Sequence, residues 1–243
     1  MKALSRLLLS VVTTGGAVMA LSAPAHAVLQ FSVGTGSSEQ FFPCVDNSSC
    51  DSNPATGTIS IPTISFEGIT ATDVKVWATA DSLNFTVGSL TNDTDGPLNG
   101  IFAVSDTDFN SNAGRFRTSF STQWSNAPGS SVGLSWFDDS TNTQGANTPT
   151  DAPGIQFDGI SADTANGSDT ANFSNSGALA VSPLDSLTVQ GSIDLAAGGT
   201  ESASESAVIA VPEASTWTML IAGFAGLGIA GYLGSRKRNA LAV

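Results

Sequence analysis

Short runs in which every second residue is apolar recur through this chain, and they constrain its fold more than any other feature. Thr58-Ile59-Ser60-Ile61, Thr63-Ile64-Ser65-Phe66, Val74-Lys75-Val76-Trp77 and Leu83-Asn84-Phe85-Thr86-Val87 come first. GIFAV (100–104), RFRTSF (115–120) and VGLSW (132–136) follow, and LTVQGSI (187–193) and SAVIA (206–210) close the series. Successive side chains of a strand point to opposite faces, so each run has one face to bury and one wet face of Ser and Thr. Turn residues punctuate the runs, among them Asp95-Gly96-Pro97, Ala127-Pro128-Gly129 and Gly198-Gly199. No amphipathic helical pattern precedes Thr216. The predicted fold is all-β: an antiparallel β-sandwich, with a jelly-roll-like arrangement as one form of it. Two stretches poor in core residues, STNTQGANTPTDAP (140–153) and SADTANGSDTAN (161–172), read as long surface loops. No repeat of fixed 20–50-residue period is present, which disfavours solenoids and propellers.

The two ends are of another kind. Lys2 and Arg6 precede a mostly apolar stretch, 7–21, that closes on Ala25-His26-Ala27. This is the pattern of a secretory signal peptide spanning 1–27, cut between Ala27 and Val28. Residues 28–210 then form the β-rich passenger, long enough for one domain with a real core. At the other end the 17-residue run 217–233 carries no charge, and with its flanks it predicts a transmembrane helix over about 216–234. Arg236, Lys237 and Arg238 follow as a basic stop that stays on the cytoplasmic side.

Charge excludes one class of partner. Between Val28 and Pro212 stand 20 acidic residues against only Lys75, Arg115 and Arg117, a formal net charge of −17. Such a surface repels phosphate backbones, so no nucleic-acid partner is expected. The same charge favours solubility and can attract divalent cations.

Composition also narrows the chemistry. The only His, His26, leaves with the signal peptide, so no His-based triad or dyad can form in the mature domain. No P-loop, G-x-G-x-x-G turn or H-E-x-x-H helix is present. A carboxylate-only glycosidase is the one enzymatic reading left, and no acid–base pair stands out for it. The expectation is a non-enzyme. Cys44 and Cys50, in PCVDNSSC, meet an oxidising compartment after export and are expected to form a disulfide loop rather than two free thiols.

Asp106-Thr107-Asp108-Phe109-Asn110-Ser111-Asn112 sets oxygen side chains at alternating positions, as the first half of a calcium loop does. An EF-hand needs Gly at its sixth position and Glu at its twelfth; Ser111 and Arg117 stand there instead. A calcium site of another type would draw on Asp93, Asp95, Asp106, Asp108 and Asn110, while solvated turns are the plainer reading of the same residues. No other cofactor is expected. Five N-x-S/T sequons, at Asn47, Asn84, Asn92, Asn166 and Asn172, fit a hydrophilic surface able to carry glycans.

Immediately before the apolar run stand Val211, Pro212, Glu213, Ala214, Ser215, Thr216 and Trp217. Motif, Gly-rich span and basic cluster, in that order over 211–243, resemble the PEP-CTERM sorting signal of exported Gram-negative proteins. Ala214 departs from the second proline of that pattern. SPLDSLT (182–188) and AGGT (197–200) look more weakly like the last strands of passengers that carry such tails. The resemblance implies recognition at the inner membrane by an exosortase-type protease-transpeptidase that cuts near Pro-Glu. The passenger would then pass to the cell surface or extracellular matrix. Taken together, these features predict a non-enzymatic exported protein associated with extracellular polysaccharide. A calcium-assisted carbohydrate-binding or adhesin module is the alternative, and a carboxylate glycosidase the third.

Overall fold

The computed structural model describes residues 28–36, 40–109, 114–180, 182 and 184–209. The expected signal peptide with Ala25 and Ala27, the candidate ligand Asn110, and the tail from Val211 through Arg238 lie outside them. No helix among the described residues is long and apolar enough to cross a membrane.

Twelve strands are described: β1 (Gln30–Thr35), β2 (Phe41–Val45), β3 (Thr58–Phe66), β4 (Ile69–Thr79), β5 (Ser82–Asn92), β6 (Leu98–Phe109), β7 (Arg115–Ser125), β8 (Ser130–Asp139), β9 (Ile155–Thr164), β10 (Thr170–Ala178), β11 (Asp185–Leu195) and β12 (Thr200–Ile209). They build two six-stranded antiparallel sheets, ordered β2-β1-β6-β11-β8-β9 and β10-β7-β12-β5-β4-β3. From β5 onward the chain alternates between the sheets, except that β8 and β9 pair within the first, so that β5-β12-β7-β10 faces β6-β11-β8-β9, the connectivity of a jelly roll. The two N-terminal hairpins, β1–β2 and β3–β4, extend one edge of each sheet.

The alternating runs bury the faces expected of them. Ile59, Val74, Val76, Leu83 and Phe85 of the second sheet meet Phe102, Val104, Leu134, Trp136, Leu187 and Val189 of the first in one core. Each fully buried aliphatic or aromatic side chain contributes about 1.5–3 kcal/mol. Phe31, Phe85 and Phe102 stack in sequence at centroid separations of 6.0 and 5.0 Å, tying β1 and β6 to β5. Gly191 opposes Phe102, and a Cβ there would lie 2.1 Å from the ring, so only glycine lets the ring lie flat across β11.

Of the two expected loops, one turns out otherwise and the other is a loop seated on the sheet. Residues 161–172 mostly belong to β9 and β10, the edge strands at one side of the sandwich, where few core residues are needed. Residues 140–153 form a loop, but one that packs on the outer face of the first sheet. Gly145 N donates to Ser105 Oγ, Gln144 Nε2 to Ser105 O and Gln190 Nε2 to Pro149 O, and Ala146 is buried. Polar contacts do the work that apolar residues do elsewhere. That covering leaves the two outer faces of the sandwich unlike each other.

Candidate functional site

The outer face of the second sheet is built from residues that lie far apart in sequence. Pairing registers align Asn172, Ser121, Ser204, Thr86, Lys75 and Ser60 side by side across all six strands. A second row runs Ser174, Ser119, Ser206, Asn84, Trp77 and Thr58. Adjacent strands lie about 4.8 Å apart, so each row presents hydroxyl and amide groups at that spacing over roughly 25 Å. Within the second row Ser206 Oγ donates to Asn84 Oδ1 at 2.7 Å and Asn84 Nδ2 donates to Ser82 Oγ at 3.0 Å. Asn84 is therefore engaged and almost fully buried, which removes its sequon as a glycan acceptor. Trp77 is the one outward-facing aromatic on these strands, half-buried between Thr58 and Asn84.

Open grooves cross this face, two of them larger than the one beside Ser60, Pro62 and Asp73. One, of about 480 Å³, is lined by Asp73, Lys75, Thr86, Gly88, Ser121, Gln123, Thr170, Ser202 and Ser204. The other, of about 580 Å³, lies between β7 and β10 and is lined by Arg115, Arg117, Phe116, Ser176 and Gly177. A Cβ at Gly177 would sit 2.7 Å from the Phe116 ring, so glycine there lets the ring close under the groove.

Charge divides between the sheets. Lys75, Arg115 and Arg117, the only cationic side chains among the described residues, all project from this outer face. All three are exposed, and none forms an ion pair among the described residues. The only carboxylate projecting with them from the second-sheet strands is Asp73. The first-sheet strands carry no cation and eight aspartates: Asp106, Asp108, Asp138, Asp139, Asp158, Asp163, Asp185 and Asp194.

Other carboxylates face inward. Glu201 and Glu205 share the core face of β12 with Ala203, Ala207 and Ile209. Glu205 Oε1 accepts the indole N–H of Trp136 at 2.6 Å, and Glu201 Oε1 accepts Thr122 Oγ1 at 2.5 Å. Burial pushes Glu205 up to about 8, only partly offset by the Trp136 bond. Burial likewise raises Glu201 to about 7 against the lowering bond from Thr122. Both point into the core rather than into a groove.

The candidate calcium residues are not brought together. Asp93 and Asp95 occupy the turn between β5 and β6, where Asn92 organises the backbone by bonding Gly96, Leu195 and Ala196 carbonyls. Asp106 and Asp108 lie at the opposite end of β6, on the order of 25 Å away along the extended strand. Asp106 turns inward, where burial raises it to about 7. Asp108 instead accepts Asn142 Nδ2 at 2.7 Å. No group of three or more His, Cys, Asp or Glu among the described residues is arranged to hold a metal ion. Asp93 and Asp95 thus stand apart from Asp106 and Asp108, with most of β6 between the two pairs, and Asn110 lies outside the described residues.

At the same end as Asp106, burial followed by repulsion from Asp185 and Asp139 raises Asp138 to about 7. Burial also raises Asp139, but bonds from Thr141 and Thr143 outweigh it and hold the carboxyl below its usual range. Cys44 and Cys50 are joined as expected, with Cα atoms 5.8 Å apart. Val28, the expected first residue of the mature chain, is exposed just before β1.

Comparison with protein-family models and with curated proteins finds no match. Among solved structures the chain is similar to TmCBM61 in complex with β-1,4-galactotriose. That likeness has a TM-score of 0.31 and 14% identity, and covers 56% of this chain and 81% of the other. It is also similar to the enzymatically active domain of tailspike protein 4 of bacteriophage CBA120. There the TM-score is 0.30 and the identity 15%, over 56% of this chain and 18% of the other. Neither likeness carries a ligand over, and function is argued from the face itself.

Proposed function

We propose that this chain is a non-enzymatic exported protein of the cell surface or extracellular matrix that lies against hydrated polysaccharide through the outer face of its second sheet. The carrying observation is the pair of hydroxyl- and amide-bearing rows that cross six strands with no covering loop among the described residues. An extended polymer of hydroxylated sugars presents donors and acceptors over a comparable length. Trp77 adds an apolar ring beside them of the kind that packs against a sugar face. On the first sheet's outer face, residues 140–153 cover the part around Ser105 and Gln190 and leave a smaller groove of about 330 Å³ beside Gly133, Ser135 and Ser192.

Delivery follows from the termini. The signal peptide 1–27 carries the chain across the inner membrane, and the tail 211–243 holds it there until an exosortase-type enzyme cuts near Pro212-Glu213. The passenger, 28–210, is then free to join extracellular polysaccharide.

Affinity electrophoresis of the full-length protein through gels containing soluble neutral polysaccharides tests the reading. Retardation that Ser204→Glu and Trp77→Ala weaken supports it. Equal migration with and without every polysaccharide overturns it.

A further inference from the structure

The proposed function leaves open which polysaccharide the face selects, and the distribution of charge bears on that choice. This domain carries 20 acidic residues between Val28 and Pro212, yet its three cations all stand on one face. An acidic protein has no general need to leave arginines without carboxylate partners. Here eight aspartates lie on the strands of the other sheet and only Asp73 shares the outer face. The outer face of the second sheet thus carries more cations than carboxylates, while Asp158 of β9 lies behind it, accepting bonds from Thr118 of β7 and Asn175 of β10.

Arg115 and Arg117 occupy alternate positions of β7, so their side chains leave the same face about 7 Å apart. Both line the groove between β7 and β10, with Ser176 on its far side and the Phe116 ring beneath. Guanidinium groups offer paired N–H donors that match the two oxygens of a carboxylate. We propose that this groove is a subsite for carboxylate groups of an acidic polysaccharide, with Lys75 meeting a further anionic unit of the same chain. Lys75 lies three strands away, at the row of Ser121 and Ser204, so an extended polymer rather than a single sugar spans both positions.

Two other polyanions fit less well. A duplex nucleic acid carries one charge per about 1.7 Å and is held by many phosphate contacts, far more than three cations on an acidic body supply. An anionic membrane would gain from exposed apolar side chains beside the cations. The exposed large apolar residues among the described residues, Val28, Ile155 and Leu184, all lie off the strands of this face.

The proposal rests on the polysaccharide reading, and one experiment separates the two. Full-length protein in detergent is titrated calorimetrically with polygalacturonate and with its fully methyl-esterified form, which keeps the hydroxyls and loses the charge. The expected result is at least tenfold tighter binding of the free acid. Arg115→Gln with Arg117→Gln should abolish that preference. Both arginines are exposed and unpaired, so the fold has no dependence on them, and circular dichroism checks this. Equal affinity for the two polymers, unaltered by the double substitution, overturns the carboxylate subsite and leaves the hydroxyl face standing. Binding to neither polymer overturns both. Arginine-dependent binding to phosphatidylglycerol vesicles but not to polygalacturonate overturns the subsite in favour of a membrane.

Discussion

The indole N–H of Trp136, on β8 of the first sheet, donates to Glu205 Oε1, on β12 of the second, across the apolar core at 2.6 Å. A carboxyl at that depth is stable only when neutral or well bonded. Its second oxygen has no hydrogen-bond partner among the described residues. Removing the donor should therefore be costly. Trp136→Phe keeps an aromatic ring but leaves both Glu205 oxygens without partners, and should destabilise the fold by about 1–3 kcal/mol beyond the loss of ring volume. Trp136→Phe combined with Glu205→Leu should recover part of that loss, as measured by denaturant unfolding.

Stability should fall as pH rises. Glu205 near 8, and Glu201, Asp106 and Asp138 near 7, all stand above their ordinary values. Between about pH 4.5 and 7 the unfolded chain has lost these protons while the folded chain still holds them, and from about 7 to 8 only Glu205 still holds its own, so the unfolded state binds fewer. The slope of unfolding free energy with pH is then negative, at about 1.4 kcal/mol per pH unit for each such group. Below about pH 4 both states are protonated and these groups no longer contribute a slope. Thermal unfolding between pH 4.5 and 8 should show the fall, and Glu205→Gln should flatten its upper half.

Joining Cys44 to Cys50 closes a small loop that Asp51 also organises, accepting bonds from the Asn47, Asn53 and Ser60 amides. Replacing both cysteines by serine should lower stability by about 2 kcal/mol, the chain-entropy value for so short a loop. The comparison is made by denaturant titration of the two proteins under non-reducing conditions.

Processing should be visible in mass. The mature protein recovered from cells should lack residues 1–27 and those after about Glu213. Ala214→Pro should increase the cleaved fraction. Recovery of a chain that retains the tail whatever stands at position 214 would remove the sorting account.

Strands with one fully buried face were legible because their apolar period is unbroken, as in Leu83, Phe85 and Val87. β9 and β10 were not: at the edges of the sandwich their side chains remain largely exposed, and SADTANGSDTAN has the composition of a loop. The packed loop 140–153 escaped notice because hydrogen bonds rather than apolar contacts seat it. Glu201 and Glu205 did carry a signal, since they share the parity of Ala207 and Ile209. Asp93 and Asp95 stand near Asp106 and Asp108 in sequence, but extended backbone turns that nearness into distance. The hydroxyl rows show the reverse: Ser60, Thr86, Ser121 and Ser204 become neighbours only through a strand order that no local pattern encodes.

Hydroxyl-radical footprinting of Trp77, with and without bound polysaccharide, tests the central claim most directly. Trp77 lies on the outer face of the second sheet, whereas Trp124 and Trp136 are sealed in the core and serve as internal references. The account predicts that polysaccharide reduces oxidation of Trp77 and leaves exposed Ile155, on β9, unchanged. Unchanged oxidation of Trp77, with protection instead over residues 140–153, would contradict it.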